Sequence, residues 1–216
     1  MKAILFDVDG TLLASMHIWA QTTKSIFSKY NFSMNDFSHE EKGHLEALPF
    51  EEMCYFIADR VAKDMTGEEV YNHYKKTIEN AYFYELESKK GVKDFLKKVK
   101  DKGIAMSIAS STDYKYLEAA LKRLGIYDYF DFFATPDIVN HKKDSKEFWQ
   151  YSIKKHGLDP KEITLFDDAL YAIKAAKNEG IRTVGIKDFP YNQREWEEIK
   201  KIADLSLENI GDYRLD

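Results

Sequence analysis

Residues 2–12, KAILFDVDGTL, decide how the chain is read. The apolar run that opens this stretch has the length of a strand buried on both faces, and it ends in Asp7-Val8-Asp9-Gly10-Thr11, where a strand tip opens into a loop. Two carboxylates therefore stand at the carboxyl end of a buried strand. An Asp-x-Asp pair alone is often no more than a turn, so its meaning depends on what else the chain brings to the same place.

Beyond residue 91 helical and strand patterns alternate. The spacing predicts helices over 92–102, 114–124, 145–156 and 169–179, and strands over 104–109, 130–134, 163–166 and 183–186. Gly103, Gly125, Gly157 and Gly180 close the helices, where a C-terminus calls for a left-handed residue. Such alternation implies an α/β fold, a Rossmann-like three-layer core whose parallel sheet has helices on both faces. Residues 15–87 break the pattern. Apolar and aromatic residues recur there at helical spacing (Ile18, Ile26; Met53, Ile57; Tyr74, Ile78), so the segment reads as an all-helical insertion after the first strand. The expected division is a core of residues 1–14 and 88–216 around an inserted domain of residues 15–87.

Of the 216 residues, 44% are apolar, enough to bury a core, and the net charge of −5 is opposite to the basic footprint of nucleic-acid binders. The insertion holds 13 Asp plus Glu against 7 Lys plus Arg, which leaves the remainder at +1. The single cysteine, Cys54, allows neither an internal disulfide nor a structural zinc site, which fits a reducing cytoplasm. Its place on an apolar helical face marks it as core rather than nucleophile. No uncharged stretch approaches the roughly 18 residues of a membrane span. A cytoplasmic protein with neither nucleic-acid nor membrane partners is expected.

Ligands of open parallel sheets bind beyond the carboxyl ends of the strands. There the sequence collects Asp7 and Asp9, Ser110 and Ser111, Lys142 and Lys143, and Asp167 and Asp168. Four carboxylates in one crevice raise each other's proton affinity unless a cation joins them, and an all-oxygen donor set suits Mg²⁺ better than zinc. Ser110 and Ser111 precede a helix, so their hydroxyls and the N–H groups beside them can hold an anion, and a lysine ammonium completes a phosphate cradle. An aspartate facing a phosphoryl group in such a cradle can attack it, which splits one displacement into two.

With these residues in this order, the chain resembles the haloacid dehalogenase superfamily, in particular its β-phosphoglucomutase-like and phosphoglycolate-phosphatase-like branch. The likeness runs from residue 2 to about 187: Asp7-Val8-Asp9-Gly10-Thr11-Leu12, then Ser110, then Lys143, then Asp167-Asp168. From Lys143 onward Trp149, Gly157, Pro160, Gly180 and Gly185 keep the branch's spacing. The resemblance implies that the insertion is a mobile helical cap, that Asp7 is the nucleophile and that Asp9 is general acid and then base. It implies that Ser110, Ser111 and Lys143 bind the phosphoryl group. It also implies that Mg²⁺ is held by Asp7, the Asp9 backbone carbonyl and Asp168, with Asp167 in contact or one shell out. Lys142 is adjacent and stays open as the cradle lysine. Ala14, Asp144 and Ala169 depart from the branch's usual residues.

The function the resemblance implies is a Mg²⁺-dependent phosphatase of a small phosphorylated metabolite, acting through an aspartyl phosphate and expected to be a monomer. The presence of Asp9 favours phosphoryl transfer over carbon–halogen hydrolysis. A sugar phosphomutase of the β-phosphoglucomutase type is the alternative, weakened because Trp19 stands where such mutases carry a histidine. A non-catalytic phosphate-responsive module is a further alternative, although receiver modules lack both the Asp7–Thr11 run and the insertion. His17 and Trp19, just after the first motif, and His44 with Glu46, beside Gly43, are candidates for substrate contact from the cap. Tyr71, Tyr74, Tyr82, Phe83 and Tyr84 are expected to pack within it. The cap's acidity points to a leaving group without extra negative charge: a sugar, nucleoside or alcohol rather than a carboxylate or a second phosphate.

Overall fold

The computed structural model describes residues 1–215, with positions 39, 46 and 47 described by their backbone alone, so the side chain of Glu46 lies outside the described residues. Six strands form one sheet: β1 (Ala3–Phe6), β2 (Ala105–Ala109), β3 (Phe133–Ala134), β4 (Ile163–Asp167), β5 (Arg182–Ile186) and β6 (Leu205–Leu207). Their order is β3-β2-β1-β4-β5-β6 and every neighbouring pair is parallel. The chain lays strands to one side of β1 and then crosses to the other, so the switch point falls between β1 and β4. A crevice for ligands opens at the carboxyl ends of just such a pair.

Alternation along β1 sets the layers. Ile4 and Phe6 join the cluster that includes Phe95 of α5 (Val92–Asp101) and Leu117 and Leu121 of α6 (Tyr114–Arg123). Ala3 and Leu5 face the other way, into a cluster with Phe148 and Trp149 of α8 (Lys146–His156) and Ala172 and Ala176 of α9 (Leu170–Asn178). Phe6 anchors the first face, with ring centroids 6.2, 6.1 and 5.4 Å from Phe95, Phe130 and Phe166. Side chains of period two thus place a helical layer on each side of a largely apolar sheet.

Four helices stand between β1 and α5: α1 (Met16–Phe27), α2 (His39–Ala47), α3 (Phe50–Arg60) and α4 (Gly67–Asn80), followed by a π-helical turn (Ala81–Glu85). Capping boxes begin two of them, Ser38 with Glu41 and Thr66 with Glu69, so several of the segment's acids neutralise helix N-termini. Val70, Tyr74 and Ile78, four residues apart, give α4 its buried stripe. The two connections between these helices and the sheet run side by side, Leu13 bridging Ser88 antiparallel while the Ala14 N–H donates to Glu87 at 3.0 Å. Among the described residues no helix is long and apolar enough to cross a membrane.

Three departures from the sequence reading have local causes. Only residues 133–134 of the strand expected over 130–134 form a regular ladder with β2; the 3₁₀ turn Tyr127–Tyr129 occupies the approach, and the Asp131 N–H and Phe132 carbonyl bond singly to Met106 and Ile108. A one-turn helix α7 (Pro136–Val139) follows, started by Pro136 in its first turn. Helix α10 (Trp196–Ile202) and β6 extend the fold past residue 187; both are too short to show a clear period. They are held by contact with β5, where a Cβ on Gly185 would lie 2.3 Å from Ile199 Cγ2, with Ile173 and Ala203 behind it.

Gly185→Ala is therefore expected to push α10 off β5 and to destabilise the protein by about 1–3 kcal/mol. Urea unfolding followed by circular dichroism checks this, and an unchanged midpoint would mean that α10 is not seated as described.

Candidate active site

Strand register alone brings the acids together. Phe6 pairs with Phe166 across β1 and β4, so Asp7 leaves β1 beside the end of β4, where Asp167 and Asp168 follow. Asp7, Asp167 and Asp168 are all buried, and each offers a carboxylate oxygen within 4.8 Å of the others. Residues 8–13 then curl back, the Gly10 N–H donating to Leu13 and the Leu12 N–H to Val8. Gly10 holds φ at +81°, and a Cβ there would sit 2.3 Å from Asp168 Oδ2. Glycine is required at this position both by the turn and by the approach of that carboxylate.

Lys143 is 1% exposed, and its ammonium lies 2.7 Å from Asp7 Oδ1 and 2.7 Å from Asp167 Oδ2. Burial works against its charge, but Asp167 and Asp7 more than offset that and hold its pKa above the usual lysine range. Lys142 points elsewhere and pairs with Glu52 of α3 at 2.6 Å. Of the two adjacent lysines, Lys143 is the one that reaches the acids.

One lysine does not balance the site. Burial is the main cause that raises the Asp7 carboxyl, to about 8; Lys143 opposes it while Asp167 and Asp9 add to it. Burial, then Asp7 and Asp167, likewise raise Asp168 well above the usual carboxylate range. Asp7 Oδ2 is buried without a hydrogen-bond partner among the described residues. An orphaned carboxylate oxygen among three converging acids fits a divalent cation, and the all-oxygen donor set fits a hard one. Asp167 is already engaged on both sides, by Lys143 and by the Ala169 N–H at 2.9 Å, which leaves Asp7 and Asp168 as the freer pair.

The Asp9 carboxylate turns away from that cluster into a set of hydroxyls. Ser15 and Tyr82 donate to Oδ1, and Thr112 donates to Oδ2 at 2.7 Å. Trp19 Nε1 donates to the Tyr82 hydroxyl at 3.0 Å, which directs the Tyr82 proton toward Asp9. Ser15 and Tyr82 stand at the two ends of the helical insertion, so its position and the contacts of Asp9 are linked. Tyr82 falls on the apolar period of its segment and reads as core, and no local pattern in the sequence directs its buried hydroxyl to Asp9.

Ser110 follows β2 and is buried, its Oγ accepting the Thr112 N–H at 3.1 Å, while Asp113 rather than a serine occupies the N-cap of α6. Ser111 shares a hydrogen bond with Tyr171 at 2.9 Å. Two residues outside the motifs brace the loops. Asn192 donates to the Asp168 and Ile186 carbonyls, both at 2.9 Å, and Lys89 donates to the Gly10 carbonyl and pairs with Asp188 at 2.8 Å. No local pattern distinguishes either of them from a surface polar residue.

Asp7, Asp9, Ser110, Ser111, Asp168 and Trp19 line one cavity of about 600 Å³ that runs from the strand ends into the helical insertion. His17 is exposed on α1 and is not among the residues lining it. His44 lines a separate cleft with Asp144 and Tyr171, its ring 5.4 Å from Phe56. Cys54 is buried, its thiol pushed up to about 12 by burial, and Tyr84, expected to pack within the cap, is 71% exposed.

The chain is similar to known proteins along most of its length. PpaX of Clostridium perfringens is 30% identical over 194 residues, 87% of this chain and 84% of the relative. The phosphorylated carbohydrates phosphatase of Thermotoga maritima is 22% identical over 184 residues, 85% and 84% of the two chains. The crystal structure of CbbY from Rhodobacter sphaeroides in complex with xylulose-(1,5)bisphosphate superimposes with a TM-score of 0.76 at 21% identity, covering 98% of this chain and 96% of that one. The family model of the haloacid dehalogenase-like hydrolases matches residues 4–186, a span that contains every acid, hydroxyl and lysine of the cluster described above. The chain therefore belongs to the haloacid dehalogenase-like hydrolase family and is an enzyme of its phosphatase kind.

Proposed function

We propose that the protein is a Mg²⁺-dependent phosphatase that hydrolyses a small phosphomonoester through an aspartyl phosphate on Asp7. The observation that carries this reading is the environment of Asp7. Its carboxylate is buried at a strand end with one oxygen on Lys143 and the other without a partner, and it opens on the same cavity as Ser110 and Asp9. The phosphatase name of the Thermotoga maritima relative supports the same class of reaction.

Asp7, Asp168 and the Asp9 carbonyl would hold the ion, with Asp167 bracing Lys143 beside them. When bound, Mg²⁺ supplies the positive charge that lets a carboxylate and an anionic phosphoryl group share the crevice. Asp7 attacks phosphorus while Lys143, the Ser110 hydroxyl and the Ser111 loop hold the phosphoryl oxygens. Asp9 gives a proton to the departing alcohol oxygen, and the Asp7–phosphorus bond forms as the ester bond breaks. Asp9 then takes a proton from water, which attacks the acyl phosphate, releases inorganic phosphate and restores the Asp7 carboxylate.

The paired connections at residues 13–14 and 87–88 are the boundaries we assign between the core, 1–14 and 88–216, and the cap, 15–87. Because Ser15 and Tyr82 both donate to Asp9, closure of the cap sets the orientation of the acid as it excludes water. Water as the acceptor, rather than a second sugar hydroxyl, is favoured by Trp19, whose indole N–H is committed to Tyr82.

Asp7→Asn is expected to lower kcat on the order of 10³-fold or more. Lys143→Ala should approach that loss, whereas Lys142→Ala, which removes only a partly exposed ion pair, changes kcat less than about fivefold. EDTA should abolish turnover and Mg²⁺ restore it. Phosphate release assays check all four, and near-wild-type turnover by Asp7→Asn would sink the mechanism.

Stability supplies a separate check. The unfolded chain releases the Asp7 proton near 3.8, whereas the folded, metal-free protein keeps it to about 8. The folded state binds the extra proton between those values, so this group's contribution to stability is full below the lower value and is lost as pH rises through the window. In EDTA the wild type should lose stability relative to Asp7→Asn across that range, by up to about 1.4 kcal/mol per pH unit. Saturating Mg²⁺ should flatten the difference. Urea unfolding of both proteins across the window measures it, and a difference that grows in the opposite sense would contradict the burial of Asp7.

A further inference from the structure

From Asp7 and Asp168 the cavity of about 600 Å³ runs on into the helical insertion, and there its walls change character. Trp19, Phe32, Met34, Leu48, Phe50 and Met53 form them. Trp19 and Phe50 meet edge to face with centroids 5.5 Å apart, and Phe32 stands against Phe27 and Phe37 at 5.5 and 5.0 Å, so the aromatic wall is itself held by ring contacts. The hydroxyls of Thr23, Ser28 and Ser33 on these walls are engaged, while Tyr191, 41% exposed, and Glu195 line the cavity from the core side. Thr23 Oγ1 donates to the Trp19 carbonyl and accepts from Tyr74, each at 2.8 Å. Ser28 Oγ donates to the Lys24 carbonyl at 2.7 Å, and Ser33 Oγ to Asp36 at 2.8 Å. On the core side, Asn192 spends its amide on the Asp168 and Ile186 carbonyls and accepts from the Asp188 N–H. Lys24 is exposed, at the cavity's solvent edge.

A sugar ring entering this space would trade the water on its hydroxyls for walls that offer few free partners, and each unsatisfied hydroxyl counts against binding. A flat aromatic group meets ring edges, ring faces and the thioethers of Met16, Met34 and Met53 instead. We propose that the cavity selects phosphate monoesters of a flat, uncharged, aromatic-bodied alcohol over those of sugars. This rests on the phosphatase reading for the phosphate end of the cavity, and it narrows the sequence-based choice of sugar, nucleoside or alcohol by removing the sugar.

The test compares 2-naphthylmethyl phosphate with glucose 6-phosphate, hexyl phosphate and fructose 1,6-bisphosphate, all esters of alkyl alcohols, so that differences in leaving-group reactivity do not decide the outcome. Turnover is measured on the Mg²⁺-loaded enzyme, and binding of the same four compounds to wild type and to Asp7→Asn by calorimetry. The naphthylmethyl ester is expected to exceed each of the others at least about tenfold in kcat/KM and in affinity. Met53→Gln and Met34→Gln, near-isosteric changes on two parts of the wall, should narrow that ratio at least about threefold. Turnover that favours a sugar phosphate or the bisphosphate, or treats hexyl phosphate equally, overturns the inference and leaves the phosphatase reading intact. Absence of turnover on all four with the binding preference retained does the reverse. Equal binding of all four overturns the inference whatever the turnover.

Discussion

The ammonium of Lys143, sealed between Asp7 and Asp167, is the contact on which the rest of the site depends. Neighbouring parallel strands stand about 4.8 Å apart, so acids that follow β1 and β4 are forced together by the backbone before any side chain is chosen. Three buried carboxylates at that spacing repel, and a single buried cation offsets only part of the repulsion. Burial is the main cause that raises the proton affinity of Asp7 and Asp168, the neighbouring acids add to it, and a divalent ion at this place would relieve both. The neighbouring structure follows from holding these groups in place: Gly10 leaves room for the Asp168 carboxylate, Asn192 ties the Asp168 carbonyl to β5, and Lys89 ties the Gly10 turn to Asp188.

The cavity has two poles of different origin. The sheet edge supplies carboxylates, hydroxyls and an ammonium, and the helical insertion supplies rings and thioethers. Asp9 stands where they meet, taking hydrogen bonds from Thr112 of the core and from Ser15 and Tyr82 at the ends of the insertion. Such a division lets one type of chemistry be joined to a separately shaped wall, because the acids are fixed by strand register while the walls are fixed by helix packing.

Charge counting and structure part company over the insertion. Its excess of acids is read from sequence as a property of what the substrate meets, yet Glu41 and Glu69 serve capping boxes, Glu52 pairs with Lys142 and Glu40, Glu51 and Glu68 occupy first turns of helices. These are roles at helix ends and on the outer surface, where an acid favourably meets the partial positive charge of free N–H groups. None of these six lines the large cavity, whose surface in this half is mostly apolar, with Lys24 at its solvent edge. The proposal that the leaving group is uncharged therefore rests on those walls and not on the count of acids.

By itself the sequence determined the parallel α/β core, the place of the helical insertion and the pairing of strand ends with acids, serines and a lysine. It could do so because strand length, helical period and C-terminal glycines are local and Asp7, Ser110 and Asp167 each sit at or next to the end of a strand. Tertiary structure alone decided that Lys143 rather than Lys142 reaches the acids, that the Tyr82 hydroxyl reaches Asp9 across 73 residues and that Trp19 lines the large cavity while His17 does not. It also added α10 and β6, whose seat is the bare backbone of Gly185. These outcomes depend on where side chains from distant segments point once helices have packed, and no period or composition of a single segment encodes that direction.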